Sequence, residues 1–313
     1  MKNQNPLLRF FLPSLIAATL MAAVIAPITA HAVPGDLYVG TFDPNTGGVI
    51  VQITPGGTQS TFASAPGEQL NGVAFDKSSN LFVGANNLSV GGATILKYTP
   101  GGTQSTFATG LSFPRALAFN SAGNLFVADV NDGAIFKYTP GGIQSTFASG
   151  LSQPSGLAFD GAGNLFVAGG GGSGTILKFT PGGTESTFAT GLTEPRGLAF
   201  DSAGNLFEAD KTSGNIYEFT PGGVRSTFAT GLFQPIGLAF NSAGDLFEAD
   251  VGSGNIFEFT PGGVRSTFAT GLNGPAWLAF GPARASVPDS GATIMLLGAA
   301  LGVLGATRRF VMS

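Results

Sequence analysis

The chain has 313 residues with 14 basic and 18 acidic side chains, a formal net charge of −4, no cysteine and one histidine. The lack of cysteine excludes disulfides, thiolate metal sites and cysteine nucleophiles. Acidic residues outnumber basic residues in the central region 33–287. We therefore expect no nucleic-acid partner, because such a partner needs a basic face.

The first 32 residues have the pattern of a secretory signal peptide. Lys2 and Arg9 form a basic start, and residues 10–28 are almost wholly apolar. Ala30 and Ala32 then supply small residues at the two cleavage-site positions. We therefore expect the segment 1–32 to be removed on export, together with the single histidine. The alternative is that the segment stays uncleaved and anchors the protein in a membrane.

One four-residue phrase, Thr-Pro-Gly-Gly, recurs through the central region. It begins at Thr54, Thr99, Thr139, Thr180, Thr220 and Thr260. A period of about 40 residues with several short strands in each unit is typical of a β-propeller. In the unit 156–190, runs rich in Phe, Leu and Val predict four strands, at 157–160, 164–168, 175–179 and 185–189.

Each Pro-Gly pair predicts a type II turn between the third and fourth strands, because proline presets φ and glycine accepts a positive φ. With Pro181 and Gly182 at the turn centre, Lys178 faces Glu185 across the hairpin. In the next two units the charges are reversed together, as Glu218 with Arg225 and Glu258 with Arg265. We interpret this exchange as structural compensation between cross-strand partners.

The strand count predicts how the ring closes. The repeat region opens with a second-type strand at 36–40 and ends with an unpartnered first-type strand at 277–280. One blade must then combine three strands from the start of the region with one from its end, which removes the open edges of the ring. We therefore predict an all-β protein whose residues 33–285 fold as a six-bladed β-propeller of four-stranded blades.

Two longer phrases recur in the same units. Pro-Arg-Gly-Leu-Ala-Phe-Asp occupies 195–201 and Gly-Asn-Leu-Phe-Glu-Ala-Asp occupies 204–210, and both return with small changes at 114–129 and 235–250. These phrases resemble the NHL-repeat and related six-bladed propellers. The resemblance implies the architecture but is nearly silent on activity, because this fold hosts lactonases, lyases and pure binding modules.

Propellers of this kind place the connections into each first strand and out of each second strand on one face. The charged side chains at these positions are Arg115, Arg196, Asp129, Asp210 and Asp250. Around a channel, such a ring can bind a divalent cation such as Ca²⁺ or a polyanionic sugar. The alternatives are that each aspartate caps its own turn and that the arginines are simply solvated. Because the arginines do not repeat, they are better ligand candidates than the aspartates.

An enzymatic alternative is a metal-assisted hydrolase or lyase. Gluconolactonase-like propellers hold a divalent metal in the channel, with a leading Glu near the start of the first blade, where this sequence offers only Asp36 and Asp43. Streptogramin-lyase-like propellers use a histidine base, and a chain cleaved after residue 32 has none. Glu208 and Glu248 replace valines of other units and form a further candidate carboxylate pair, although blade duplication explains them equally well. We expect no catalytic residue and no obligatory cofactor, and favour a binding or structural module for a polysaccharide or protein partner.

The C-terminal segment 286–313 combines three features in order. They are the motif Val287-Pro288-Asp289-Ser290-Gly291, an apolar run at 292–306, and the basic pair Arg308 and Arg309. As a helix the run rises about 22 Å, short of the roughly 30 Å hydrocarbon core, and the basic pair holds its end on the cytoplasmic side. This order resembles the exosortase-type, PEP-CTERM-like sorting signals in their VPDSG variant.

The resemblance implies an exported protein whose C-terminus is anchored only transiently. In that family an exosortase-type processing enzyme recognises and cuts the tail during transport to the cell surface or extracellular matrix. The membrane is then a partner only through the C-terminal helix, before processing. The alternative is a plain tail anchor.

Overall fold

The computed structural model describes residues 35–43, 47–87, 92–169 and 174–281. These residues form 24 strands in six four-stranded antiparallel sheets, so the prediction of an all-β, six-bladed propeller is confirmed. None of them belongs to a helix long and apolar enough to cross a membrane. The expected signal peptide and the C-terminal sorting signal lie outside the described residues.

The first three blades contain the following strands, in order from the innermost strand outward. Blade 1 consists of β24 (Trp277–Phe280), β1 (Leu37–Asp43), β2 (Gly47–Ile53) and β3 (Gln59–Ala65). Blade 2 consists of β4 (Glu68–Phe75), β5 (Leu81–Asn87), β6 (Ala93–Tyr98) and β7 (Gln104–Leu111). Blade 3 consists of β8 (Pro114–Phe119), β9 (Leu125–Asp129), β10 (Ala134–Tyr138) and β11 (Gln144–Ala148).

The other three blades repeat the same order. Blade 4 consists of β12 (Pro154–Phe159), β13 (Leu165–Gly169), β14 (Thr175–Phe179) and β15 (Glu185–Ala189). Blade 5 consists of β16 (Pro195–Phe200), β17 (Leu206–Asp210), β18 (Asn215–Phe219) and β19 (Arg225–Ala229). Blade 6 consists of β20 (Pro235–Phe240), β21 (Leu246–Asp250), β22 (Asn255–Phe259) and β23 (Arg265–Ala269).

The ring closes through β24, which pairs with β1 in antiparallel register. Leu37 lies opposite Phe280, and Gly40 lies opposite Trp277. The innermost strands then contact one another in a full circle, from β4 through β8, β12, β16 and β20 to β24 and back to β4. This confirms the predicted closure by three early strands and one late strand, and it places the first strand of every blade around the central axis.

Aromatic side chains of the second strands tie neighbouring blades together. The ring of Phe166 in β13 lies 4.9 Å from that of Phe188 in its own blade and 5.0 Å from that of Phe200 in the next, both edge-to-face. Equivalent contacts surround Tyr38, Phe82, Phe126, Phe207 and Phe247. Each such pair contributes about 0.5–1.5 kcal/mol beyond the burial of its area. This packing explains the recurrence of phenylalanine at fixed places in the repeat.

The turn between the third and fourth strands differs from the predicted type II turn. The N–H of Gly183 bonds the carbonyl of Thr180 at 2.9 Å, and the N–H of Thr180 bonds the carbonyl of Thr184 at 3.0 Å. The positive φ, 87°, belongs to Gly183 and not to Gly182. The hairpin is therefore a type I turn followed by a one-residue bulge.

The bulge residue shifts the hairpin register by one position. Lys178 lies opposite Ser186, and Glu185 lies opposite Phe179. Because successive side chains of a strand point to opposite faces, the two charges lie on different faces of the blade. The predicted Lys178–Glu185 partnership is therefore wrong. The same shift separates Glu218 from Arg225 and Glu258 from Arg265.

The innermost strands approach one another closely at glycines. A Cβ atom on Gly156 would lie 1.8 Å from the backbone oxygen of Arg196 in the next blade, and one on Gly197 would lie 2.1 Å from that of Ile236. Only glycine permits these approaches without movement of the backbone. The contacts fix the positions of the residues that precede the glycines, and these residues surround one end of the axis.

Candidate channel-mouth binding site

A cavity of about 240 Å³ lies at one end of the central axis. It is lined by residues near the start of the innermost strands and by residues that follow the second strands, and we call it the channel mouth. Its lining residues include Asn71, Arg115, Arg196, Lys211, Ile236 and Trp277. The structure thus brings together Arg115 and Arg196, the two arginines singled out from the sequence.

A network of loop side chains holds Arg196. Its Nη2 donates to Glu194, the Nζ of Lys211 lies 3.8 Å from the same carboxylate, and the hydroxyl of Thr212 donates to its second oxygen at 2.6 Å. Burial raises the pKa of Glu194, but the bonds from Thr212 and Arg196 and the charges of Arg196 and Lys211 outweigh it and hold that pKa below its usual value. The Nε atom of Arg196 is buried and has no hydrogen-bond partner.

Arg115 has no acidic partner within 4.0 Å in the described part of the chain. Its guanidinium lies 5.2 Å from the ring centroid of Phe113, and its Nη1 atom is buried without a hydrogen-bond partner. Burial and repulsion by Arg196, opposed by the charge of Glu194, lower the pKa of Arg115 to about 10. The side chain is therefore charged at neutral pH. A buried charged donor without an acceptor is unfavourable, and an incoming anion relieves that condition.

Two other polar side chains at this end of the axis already have hydrogen-bond partners. The Nδ2 of Asn71 donates to the carbonyl of Pro114 at 3.3 Å. Ser155, at the equivalent position of blade 4, is buried and donates to the carbonyl of Pro195 at 2.9 Å. Trp277 and Ile236 add apolar surface beside the arginines. Two unsatisfied guanidinium donors next to an apolar wall fit a ligand that carries an anionic group on a sugar or apolar frame.

The aspartates of the predicted ring are buried at the ends of second strands and accept backbone N–H bonds. The donors are Ser112, Phe113 and Asp132 to Asp129, Thr193, Glu194 and Ser213 to Asp210, and Phe233 and Ser253 to Asp250. These are bonds of the turn-capping kind, and they tie the loop before each first strand to the end of the second strand. Asp210 thereby shapes the two loops that carry Glu194 and Lys211.

The other acidic candidates are dispersed. In the described segments, no group of three or more His, Asp or Glu residues is placed to hold a metal ion. Asp36 accepts a bond from the Nε2 of Gln52 at 2.6 Å, and burial raises the pKa of Asp36; the side chain of Asp43 lies outside the described part. Glu208 and Glu248 lie on equivalent faces of β17 and β21 in neighbouring blades, each within a different interblade layer. The structure does not bring them together as a pair.

Sequence reasoning missed Glu194 and Lys211. Both are charged residues at repeat positions where other blades carry Phe113, Gln153 and Gln234 or Val130 and Val251. The criterion that singled out the arginines, a polar residue that does not repeat, applies equally to these two. A comparison of every loop position between units, rather than of the two that flank the strands, finds them.

A comparison with protein families supports the sequence interpretation of the C-terminal segment. Residues 286–309 match the family described as the VPDSG-CTERM motif, so the resemblance to that sorting signal is confirmed. No curated protein matches the chain.

Solved structures share the propeller architecture. A chain in the crystal structure of a nidogen/laminin complex superimposes with a TM-score of 0.69 at 20% identity, over 79% of this chain and 99% of that one. Virginiamycin B lyase from Staphylococcus aureus gives 0.60 at 15% identity, over 79% and 89%. A streptogramin B lyase gives 0.60 at 14% identity, over 80% and 91%. At these identities the likeness shows the fold alone, which agrees with the propeller architecture described above.

Proposed function

We propose that this exported propeller is a binding module that holds a carboxylate-bearing polysaccharide of the cell surface or extracellular matrix at its channel mouth. The observation that carries the proposal is the buried Nη1 of Arg115, a charged donor without an acceptor. The sorting motif at 286–309 indicates export. Processing of that motif by an exosortase-type enzyme, and display at the surface, are part of the proposal.

The ligand chemistry follows from the two arginines. A guanidinium group matches the two oxygens of a carboxylate, and the pairing is stronger when it is shielded from water. The Glu194 carboxylate occupies Arg196 and Lys211 on one side, which leaves Arg115 as the cation available to a ligand. A cavity of about 240 Å³ corresponds to roughly eight water molecules at about 30 Å³ each. That space suits one sugar unit of a uronic acid polymer, with Trp277 and Ile236 beside its ring.

In this proposal Asp129, Asp210 and Asp250 serve as loop-shaping residues. Two of the similar structures are lyases, but the likeness at 14–15% identity concerns the fold. The proposed activity is therefore binding, without a catalytic step.

The test is a calorimetric titration of the full chain, kept soluble in a non-ionic detergent, with an oligosaccharide of galacturonic acid. We expect binding that weakens as salt is raised and that is lost with the methyl-esterified oligosaccharide, which keeps the ring but not the charge. Replacing Arg115 with Asn, the residue found at the equivalent position of blade 2, should weaken binding about 10-fold to 100-fold, because a buried charge-assisted bond contributes about 1.5–3 kcal/mol.

The matched control is Arg265→Gln, which also removes one arginine. Glutamine is the residue at the equivalent positions 59, 104 and 144, and Arg265 lies in an outermost strand, away from the channel mouth. This variant should bind as the wild type does. Equal binding by the esterified sugar, or equal loss in both variants, would contradict an arginine-based site.

Localisation has its own test. Replacing Arg308 and Arg309 together with alanine removes the basic end of the sorting signal. We expect the protein to retain its tail and to accumulate in the membrane fraction, as judged by fractionation and by the mass of the mature chain. If both the location of the protein and the removal of its tail are unchanged, the sorting proposal is wrong.

A further inference from the structure

A second cavity, of about 640 Å³, lies between blades 5 and 6. It is lined by the turns that join first to second strands and third to fourth strands, so it opens on the face opposite the channel mouth. We call it the blade 5–6 groove. Its walls include Phe207, Phe228 and Phe240, and two carboxylates line it, those of Asp201 and Glu218.

In blade 4, a lysine side chain occupies the position that corresponds to this groove. The Nζ of Lys178 lies 5.2 Å from the ring centroid of Phe166 and 3.9 Å from Oδ2 of Asp160. The same cation-over-ring contact is made by Lys97 over Phe82 at 5.3 Å and by Lys137 over Phe126 at 5.9 Å. Three successive blades therefore use their own lysine to cover the aromatic ring of the second strand.

Blade 5 has the same aromatic ring and the same aspartate as blade 4 but no lysine. Phe207 takes the place of Phe166, with edge-to-face neighbours at 5.0 and 5.1 Å. Asp201 takes the place of Asp160 and has the same bonds, from the N–H of Ala203 and from the N–H and Nδ2 of Asn205. The residue opposite the ring is Glu218 instead of lysine. No lysine or arginine of the described residues lies within 4.0 Å of either carboxylate.

The arginine introduced into blade 5 does not compensate for this loss. Arg225 lies over the ring of Tyr217 at 5.1 Å, and its Nη1 donates to the carbonyl of Gly191 in the loop between blades 4 and 5. Tyr217 and Glu218 are consecutive in β18 and point to opposite faces. The groove therefore combines an aromatic wall with two carboxylates, in the position where three other blades hold a lysine.

We propose that the blade 5–6 groove binds the side chain of a lysine from a protein partner. The ammonium group would lie over the ring of Phe207 between Asp201 and Glu218, and the alkyl stem would contact the surrounding phenylalanines. The commitment to lysine rests on the occupant in blade 4, which is an ammonium group at the end of an alkyl stem. This site is separate from the channel mouth, and neither depends on the other.

A second groove of the same type, of about 290 Å³, lies between blades 6 and 1. Phe247 and Glu258 line it, as Phe207 and Glu218 line the first. It has Asn241 where the first groove has Asp201, and Glu258 accepts a long bond from the hydroxyl of Ser266 at 3.5 Å. With one carboxylate instead of two, this groove should bind lysine more weakly.

The experiment is ligand-observed NMR with the full chain in non-ionic detergent, using Nα-acetyl-lysine methylamide as the probe. Its neutral Nε-acetylated form is the comparison ligand. The blocking variant is Glu218→Lys, which gives blade 5 the residue found at 97, 137 and 178 and so should fold. The matched control is Glu185→Lys, because Glu185 is exposed, the charge change is the same, and blades 5 and 6 carry arginine at that position.

The expected result is binding of the charged probe, none of the neutral form, and about tenfold weaker binding to Glu218→Lys with no change for Glu185→Lys. Equal binding of the charged and neutral probes would overturn the site, as would equal binding to Glu218→Lys and the wild type. A glucosamine tetramer serves as the last arm. If it binds while a tetralysine peptide does not, the proposal of a protein partner is wrong.

Discussion

Blades 2–4 and blades 5–6 share the same four-stranded arrangement but carry different charge patterns. The second strands carry Val83, Val127 and Val167 in the first group but Glu208 and Glu248 in the second. The third strands exchange lysine for Glu218 and Glu258, and the fourth strands exchange Gln104, Gln144 and Glu185 for Arg225 and Arg265. Strand bounds and register are nevertheless equivalent in blades 4, 5 and 6. The frame is therefore set by glycine, proline and phenylalanine, while the charged positions vary on top of it.

The exchange has an energetic consequence inside the blades. Glu208 and Glu248 are fully buried, and their carboxylate oxygens lack a well-formed hydrogen bond; only Glu208 has a weaker contact, with the backbone of Arg196. Burial, reinforced by the charges of Asp210 and Asp250, raises the pKa of each glutamate well above its usual value. The backbone of Arg196 and the charge of Arg225 oppose the rise for Glu208, and the charge of Arg265 opposes it for Glu248. Each arginine thus acts as a distant partner of the acid in its own blade, along the face toward the preceding blade.

The largest effect on stability is expected when the buried glutamate of blades 5 and 6 is introduced into blade 4. Val167→Glu buries an acid in a blade without the arginine and should lower the free energy of unfolding by about 3–5 kcal/mol. Adding Glu185→Arg should recover about 1 kcal/mol, because the buried acid then has an arginine at the position that Arg225 occupies in blade 5. Denaturant unfolding of both variants measures the difference. A double variant no more stable than the single one would show that the arginines do not support the buried acids.

The reverse substitution, Glu208→Val, should stabilise blade 5, because it replaces a buried acid with the residue of blades 2–4. A raised pKa means that the folded state binds the Glu208 proton more tightly than the unfolded state does, so stability is highest below the unfolded pKa of about 4.3. It then falls as the pH rises toward the folded pKa. Glu208→Val removes this loss, and we expect a gain of about 1–3 kcal/mol at pH 7 with a flatter pH profile.

The control for that exchange is Glu185→Gln, which removes an exposed carboxylate instead of a buried one. Thermal melts between pH 4 and pH 8 provide the comparison. Identical profiles for the wild type and Glu208→Val would contradict the assignment of a raised pKa to Glu208.

A smaller effect on stability is expected from the lysines that lie over the aromatic rings, on the other face of the blades. Lys178→Met removes the ammonium from Phe166 and Asp160 and should lower stability by about 0.5–1 kcal/mol, or about 1–4 °C in the melting temperature. Glu218→Met in blade 5 removes no such contact and should not lower it. Equal destabilisation of the two variants would show that the lysines contribute nothing by lying over the rings.

The fold was predictable because the Gly- and Pro-rich turn sequences and the hydrophobic runs indicate the same strands in every unit. The predicted strands at 175–179 and 185–189 coincide with β14 and β15. The first strand begins at Pro154, three residues before its predicted start, because Pro154 pairs with Gly169 beyond a bulge. The type of the turn between the third and fourth strands was mispredicted because two glycines are consecutive there. With glycine at both 182 and 183, the sequence does not reveal which of them takes the positive φ.

The candidate site was predictable only in part. Arg115 and Arg196 stand out because they break the repeat, whereas Glu194 and Lys211 break it at neighbouring loop positions. The contact of Lys178 with Phe166 depends on the hairpin register, and a one-residue bulge reverses which side chains share a face. Interblade contacts of this kind follow from register and packing together, and a linear pattern does not contain them.

The central claim is that Arg115 at the channel mouth lacks an acceptor until a carboxylate arrives. The most direct measurement is a crystal structure of the protein with a galacturonic acid oligosaccharide bound. The account predicts one carboxylate oxygen about 2.7–3.2 Å from Nη1 of Arg115, with the sugar ring beside Trp277 and Ile236. A bound oligosaccharide elsewhere on the propeller, with Nη1 of Arg115 still unpaired, would contradict it.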